Sequence, residues 1–184
     1  MSRRRRPAQQ RDSSSTSPAG SGVHEPVLYE ETLVALAPHP GGTYVDGTVG
    51  AGGHAKGILE LSAPDGRLLG IDRDDQALTL ARDSLAGFGA RVALVRGDLA
   101  DIVSIVHQAG LGPIDGILFD VGGSSMQLAA AERGFSFLHD GPLDMRMDRR
   151  SPTTAASLVN ELEEEELANL LFELGEERQS RRIA

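Results

Sequence analysis

Residues 44–54 read Tyr44-Val45-Asp46-Gly47-Thr48-Val49-Gly50-Ala51-Gly52-Gly53-His54. An apolar pair runs into a carboxylate, a glycine-rich turn follows, and from residue 54 to 61 a helical pattern places Ile58, Leu59 and Leu61 among its apolar positions. A strand that turns through glycines into a helix brings the backbone close to a ligand and offers it the unpaired N–H groups of the helix start. Gly50, Gly52 and Ala55 also satisfy the G-x-G-x-x-[GA] spacing of nucleotide-binding turns. Asp72 lies 19 residues beyond Gly53 at the end of the next strand, about where an acid accepts hydrogen bonds from ribose hydroxyls. The expected occupant is a nucleoside-bearing cofactor.

Outward from this stretch, strands and helices alternate. Thr43–Val45, Arg67–Ile71, Arg91–Val95 and Ile114–Phe119 read as strands, the last apolar enough for burial on both faces. Helical spacing covers 54–61, Asp75–Leu85 (with Leu78, Ala81 and Leu85 on one face) and about 99–108. This order predicts an α/β fold with a parallel, Rossmann-like sheet. A long connection, 121–153, follows. Asn160 and Glu163 then read as an N-cap and N3 pair, Leu167, Leu170, Leu171 and Leu174 form an apolar stripe, Gly175 closes the helix, and Glu176–Ala184 begins another. The chain divides into a basic, serine-rich tail expected to be disordered (1–22), a cofactor-binding half (23–130), and a connecting segment that starts a helical insertion (131–184). No later residue reads as a strand that would pair with the fourth one, so the chain is expected to be a fragment of something longer.

The 184 residues are 40% apolar, enough for one ordinary domain. The absence of cysteine excludes disulfide scaffolds, thiolate metal sites and cysteine nucleophiles. No apolar run is long enough to span a membrane, and no secretory leader is visible, so a cytoplasmic protein is expected. The net charge is −9, but five arginines fall within the first eleven residues, leaving residues 23–184 with 13 bases and 26 acids. So acidic a body attracts nucleic acid poorly by its overall field; RNA contact would come from local arginines or the tail.

Within the turn itself, two details favour S-adenosyl-L-methionine over NAD. Asp46 suits a ligand carrying an ammonium group and disfavours a pyrophosphate. The fourth strand ends in Asp120 followed by Val121-Gly122-Gly123-Ser124-Ser125, a polar turn where a methyl acceptor would sit. A phosphate-binding loop of the G-K-[ST] type is excluded, because no such triplet follows. After the third strand, Arg96-Gly97-Asp98-Leu99 offers Leu99 as an apolar face for an adenine, while Asp98 reads equally well as a helix N-cap.

Several strings in the chain resemble one family: His24-Glu25-Pro26-Val27-Leu28, the loop 46–54, Gly70-Ile71-Asp72-Arg73-Asp74, Asp120–Gln127, Glu132-Arg133-Gly134-Phe135-Ser136-Phe137, 140–148 and Gly175-Glu176-Glu177-Arg178. Their spacing is similar to the N-terminal part of the ribosomal RNA small subunit methyltransferase H family, the cytosine-N4 methyltransferases of 16S ribosomal RNA. The resemblance implies a class I S-adenosylmethionine-dependent methyltransferase sheet, a partner in the small ribosomal subunit, and chemistry without a metal. It implies cofactor contacts at Gly52, Gly53, His54, Asp72, Leu99, Asp120 and Gln127. Asp120 is also the candidate catalytic residue, as acceptor for the amino group of the target base, with Ser124 and Ser125 in support.

The strand-four turn departs from the family pattern, with Gly123 and Met126 where Val and Pro are usual; this loosens the approach to Gln127. Between 143 and 148, alternation would turn Leu143, Met145 and Met147 inward and Asp144, Arg146 and Asp148 outward, with Arg146, Arg149 and Arg150 facing RNA phosphate or the whole segment serving as a lid clamped by Phe135 and Phe137. His24 and His139 are assigned no chemistry. Two other classes stay open: an NAD-dependent oxidoreductase, and a module that binds cofactor or ribosome without catalysis.

Overall fold

A computed structural model describes residues 26–123 and 125–184, with backbone alone at 125 and 126. The expectations for segment 1–22, for His24, and for the side chains of Ser124 and Ser125 lie outside the described residues.

Four strands, β1 (Thr43–Asp46), β2 (Arg67–Asp72), β3 (Val92–Arg96) and β4 (Gly116–Leu118), form one parallel sheet in the order β3-β2-β1-β4. Side chains alternate across it, as strand geometry requires. Tyr44 and Leu68 face a core built with Leu33 of α1 (Tyr29–Leu36), Ile58 and Leu59 of α2 (Gly53–Leu61), and Leu78, Ala81 and Leu85 of α3 (Asp75–Leu85). Val45, Leu69 and Ile71 face the other way, against Ile102, Ile105 and Val106 of α4 (Ile102–Gln108). The helices that follow β1 and β2 therefore cover one face and the helix that follows β3 covers the other, the doubly wound, Rossmann-like arrangement. Among the described residues no helix is long and apolar enough to cross a membrane.

The fourth strand departs from expectation. It is three residues long, and Ile117 and Phe119 stay 46% and 48% exposed. β4 pairs with β1 alone, and among the described residues no strand pairs with its other edge, so an apolar sequence here does not become a strand buried on both faces.

The C-terminal helices also start elsewhere. A helix α6 (Ala155–Glu161) opens at Thr154, where Thr154 Oγ1 accepts from Ser157 N–H and Ser157 Oγ accepts from Thr154 N–H, each at 3.0 Å. Asn160 is a residue of α6 whose side chain donates to the Ala156 carbonyl, and Glu163 is itself the N-cap of α7 (Glu164–Glu173). Reciprocal capping by a Thr/Ser pair satisfies the same two orphan N–H groups as the more familiar Ser/Thr–Glu box. Beyond α7 the left-handed residue is Glu176 (φ 52°), one position after Gly175; a short α8 (Ser180–Ile183) ends the chain.

Candidate functional site

The sheet order places the change of helix face between β1 and β4, and in open α/β sheets ligands bind at the carboxyl ends of the strands flanking that point. Asp46 ends β1, Asp72 ends β2, and Asp120 follows β4. The glycine-rich turn is laid across these strand ends. Gly47 N–H donates to the Leu118 carbonyl and Val49 N–H to the Ile71 carbonyl, both at 2.9 Å. Asp120 N–H donates to Thr48 Oγ1 at 2.7 Å. Both Asp72 oxygens accept backbone N–H groups at 2.9 Å, one from Gly50 and one from Asp74. A carboxylate has about four acceptor sites, so Asp72 retains capacity for two hydroxyls while being held rigidly.

Asp46 is 1% exposed. Burial pushes its carboxyl up to about 7; the Thr48 N–H opposes this, and the negative Asp72 and Asp120 push it further. A ligand bringing positive charge to this corner would relieve the repulsion. His54 is buried in the first turn of α2, its ring stacked on Tyr29 at 5.9 Å between centroids. Its Nδ1 is 3.9 Å from Asp120 Oδ2, beyond hydrogen-bond length, and its Nε2 has no hydrogen-bond partner among the described residues. A buried ring nitrogen without a partner is uncommon and marks a place where a ligand atom would be welcome.

Glycine serves different ends along the turn. Gly52 caps α2 at φ +89°, a conformation costly for other residues, and Gly50 also takes a positive φ, +53°, where a Cβ would meet the Thr48 carbonyl at 3.8 Å. Gly53 is required by packing, since a Cβ there would collide with the Pro26 ring. Leu99 heads a single 3-10 turn (Leu99–Asp101) after β3 and packs, with Phe119, against Gly47. Asp98 is the N-cap of that turn, accepting from Ala100 N–H at 3.0 Å, and pairs with Arg73 at 3.1 Å.

Gln127, in α5 (Ser125–Ala129), is drawn into a second polar cluster. Its Nε2 donates to Asp74 Oδ2 at 3.1 Å, beside the fully buried Arg133, whose Nη1 reaches the same oxygen at 2.8 Å. These side chains line a cleft of about 450 Å³ with Asp75, Gln76, Thr79 and Leu80. The structure thus brings Asp46, Gly50, His54, Asp72 and Asp120 together around the turn, with Leu99 over its first glycine, and gives Gln127 a place beside the first turn of α3.

The 143–148 segment reverses the expected pattern. Asp144 is buried, and Leu143 and Met145 are 47% and 46% exposed. Met145 sits at φ +57°, which breaks the extended alternation. Arg146 is occupied internally, forking onto both Asp144 oxygens at 2.7 Å and donating to the Arg149 and Ser151 carbonyls. It is a structural arginine and not one facing phosphate. Phe137 is 97% exposed and clamps nothing among the described residues. Sequence reading missed Thr48, Asp74 and Arg133; a polar residue next to each strand end and one arginine inside an idiosyncratic 132–148 stretch were the available signals.

Residues 21–184 match the MraW methylase family. The chain belongs to that family. Curated relatives agree: Ribosomal RNA small subunit methyltransferase H of Symbiobacterium thermophilum is 58% identical over 161 residues, covering 88% of this chain and 51% of the relative. The proteins of the same name from Geobacter sulfurreducens and Geotalea daltonii are 55% and 56% identical over the same share of this chain and 52% of their own. This MraW-family chain spans about half the length of the curated relatives it matches.

Proposed function

We propose that this chain carries the cofactor-binding half, residues 23–130, of an S-adenosylmethionine-dependent methyltransferase that acts on the N4 amino group of a cytidine in 16S ribosomal RNA, with 131–184 leading into a helical insertion. The observation that carries the reading is the convergence of Asp46, Asp72 and Asp120 on a positive-φ glycine turn at the point where the helices change face. Three acids suit a ligand that is cationic, and they would repel a dinucleotide pyrophosphate. The orphaned His54 Nε2 fits a bound nucleoside as well.

When bound, S-adenosylmethionine supplies an electrophilic methyl group. The residues that would hold it are Gly52, Gly53 and His54 in the turn, Asp72 through its free lone pairs, Leu99 as an apolar face, Asp120 and Gln127. The cytosine amino nitrogen is a poor nucleophile because its lone pair is delocalised into the ring, so alignment supplies much of the rate. Asp120 is half-exposed, and its backbone is tied to Thr48. With its backbone so anchored, the carboxylate would accept a hydrogen bond from the amino N–H and receive the proton the nitrogen gives up as the N–methyl bond forms and the sulfur–methyl bond breaks. The target base must first be unstacked, at a cost of a few kcal/mol.

The test is methyl transfer from labelled S-adenosylmethionine to small ribosomal subunits, read as N4-methylcytidine by mass spectrometry of the digested RNA. The proposal expects product with the chain and at least a hundredfold less with Asp120→Ala. Label appearing on another base, or undiminished in the variant, would contradict it.

A further inference from the structure

β4 ends at Leu118, whose carbonyl takes the Gly47 N–H at 2.9 Å, and Asp120 lies two residues beyond it. Val121 is exposed, and Gly122 and Gly123 come next, so the three residues that follow Asp120 anchor no side chain. The anchor is on the neighbouring strand. Asp120 N–H donates to Thr48 Oγ1 at 2.7 Å, and Thr48 N–H donates to Asp46 Oδ1 at 3.1 Å. The second bond closes a turn over Gly47 in which a carboxylate takes the N–H two residues on. Gly47 has to be glycine for the two strand ends to come this close, because a Cβ there would collide with the Phe119 ring and with Leu99. A hydroxyl accepts at its lone pairs and still has a proton to give. With the Asp120 N–H on its oxygen, Thr48 turns that proton to the Asp46 carboxyl. Burial drives this carboxyl up to about 7; the Thr48 N–H and hydroxyl pull it back down, against the charges of Asp72 and Asp120. Asp46 is itself shut off from solvent, so what it contributes to the site passes through the residues it touches.

We infer that Thr48 is a positioning residue for Asp120: its hydroxyl joins the Asp120 backbone to the buried Asp46, so that the acid after β4 is set in place from the end of β1. Asp46 thereby has a task that its burial allows, which is to hold the Thr48 side chain with its oxygen toward β4. The inference rests on the proposed function for the work that Asp120 does, but not for the bridge itself.

Two substitutions at one position separate the hydroxyl from the shape of the side chain. Thr48→Val keeps the branched outline and loses the O–H, whereas Thr48→Ser keeps the O–H. In the ligand-free 184-residue chain, followed by nitrogen-15 NMR, the Asp120 amide exchanges slowly with water in the parent and in Thr48→Ser, and at least tenfold faster in Thr48→Val. Carbon-13 NMR of the Asp46 carboxyl shows its titration moving up in Thr48→Val and staying near the parent in Thr48→Ser; a general loosening, which admits water, would move it down. By calorimetry, S-adenosylmethionine binds Thr48→Val roughly tenfold more weakly than it binds the parent or Thr48→Ser. Thermal midpoints show whether each variant folds, and if Thr48→Val does not, Thr48→Ala makes the same comparison. Three results overturn the inference: an Asp120 amide as protected in the folded hydroxyl-free variant as in the parent, an Asp46 titration that fails to rise there, or S-adenosylmethionine bound equally by all three chains. If both NMR differences hold but the parent binds no S-adenosylmethionine, the bridge is upheld and the result counts against the proposed function instead.

Discussion

A carboxylate as deeply buried as Asp46, flanked by Asp72 and Asp120, costs the fold stability whenever it is ionised. Its folded-state pKa of about 7 lies above the ordinary 3.8. Below about pH 4 both states are protonated and no penalty exists; between 4 and 7 the folded chain keeps a proton that the unfolded chain releases, so stability falls as pH rises, by at most about 4 kcal/mol in total. Asp46→Asn, which can still accept from Thr48 N–H, is expected to melt several degrees above the parent at pH 8 and no higher than the parent at pH 4, in calorimetric scans at the two values. Asp144 has the opposite sign. The Arg146 fork holds it below the usual carboxylate range, against the cost of burial, so its contribution is present above about pH 4 and fades as pH falls through its folded value. Asp144→Asn therefore lowers the melting temperature at pH 7, and the deficit shrinks in increasingly acidic buffer. The acids at strand ends were legible in the sequence because an acid after an apolar strand has few other roles. Arg133 and Arg146 were not, because a loop arginine reads as solvent- or phosphate-facing until the buried carboxylate that claims it is known.

Among the elements, β1 to β3 and helices α2 to α4 follow from periodicity to within a few residues, since each has a face that must be buried. The departures have identifiable causes. β4 was read too long because its apolar residues were assumed to have neighbours on both sides. α6 was missed because its capping box uses Ser157 in place of a glutamate, and the nearby Asn160 offered a more conspicuous cap. Thr154→Ala should cost about 1 kcal/mol in urea unfolding, while Asn160→Ala should cost well under half of that. The connection 131–151 is stapled to the sheet by Arg133 on Asp74 and by Arg96 on Asp148, and is knotted internally by Arg146 on Asp144. Arg146→Met is expected to open 140–151 to limited proteolysis while β1 to β3 stay protected; equal resistance in parent and variant would show that the knot does not hold the segment.

At the scale of the whole molecule, a β3-β2-β1-β4 sheet with helices on both faces creates a switch point, and the strand-end acids lie at it. The α/β class was legible in the sequence, and so was the gathering of acids at the strand ends around a glycine turn, since the alternation of elements and the turn are local features. The exposed faces of Ile117 and Phe119 were not, because exposure depends on what stands beside β4. The central claim is that the three acids and the glycine turn select a cationic, nucleoside-bearing cofactor over a pyrophosphate-bearing one. The most direct measurement is a calorimetric titration of the chain with S-adenosylmethionine and, separately, with NADH, repeated on Asp72→Ala. The account predicts binding of S-adenosylmethionine alone, weakened at least tenfold in the variant. Binding of NADH, or a folded chain that takes up neither ligand, would contradict it.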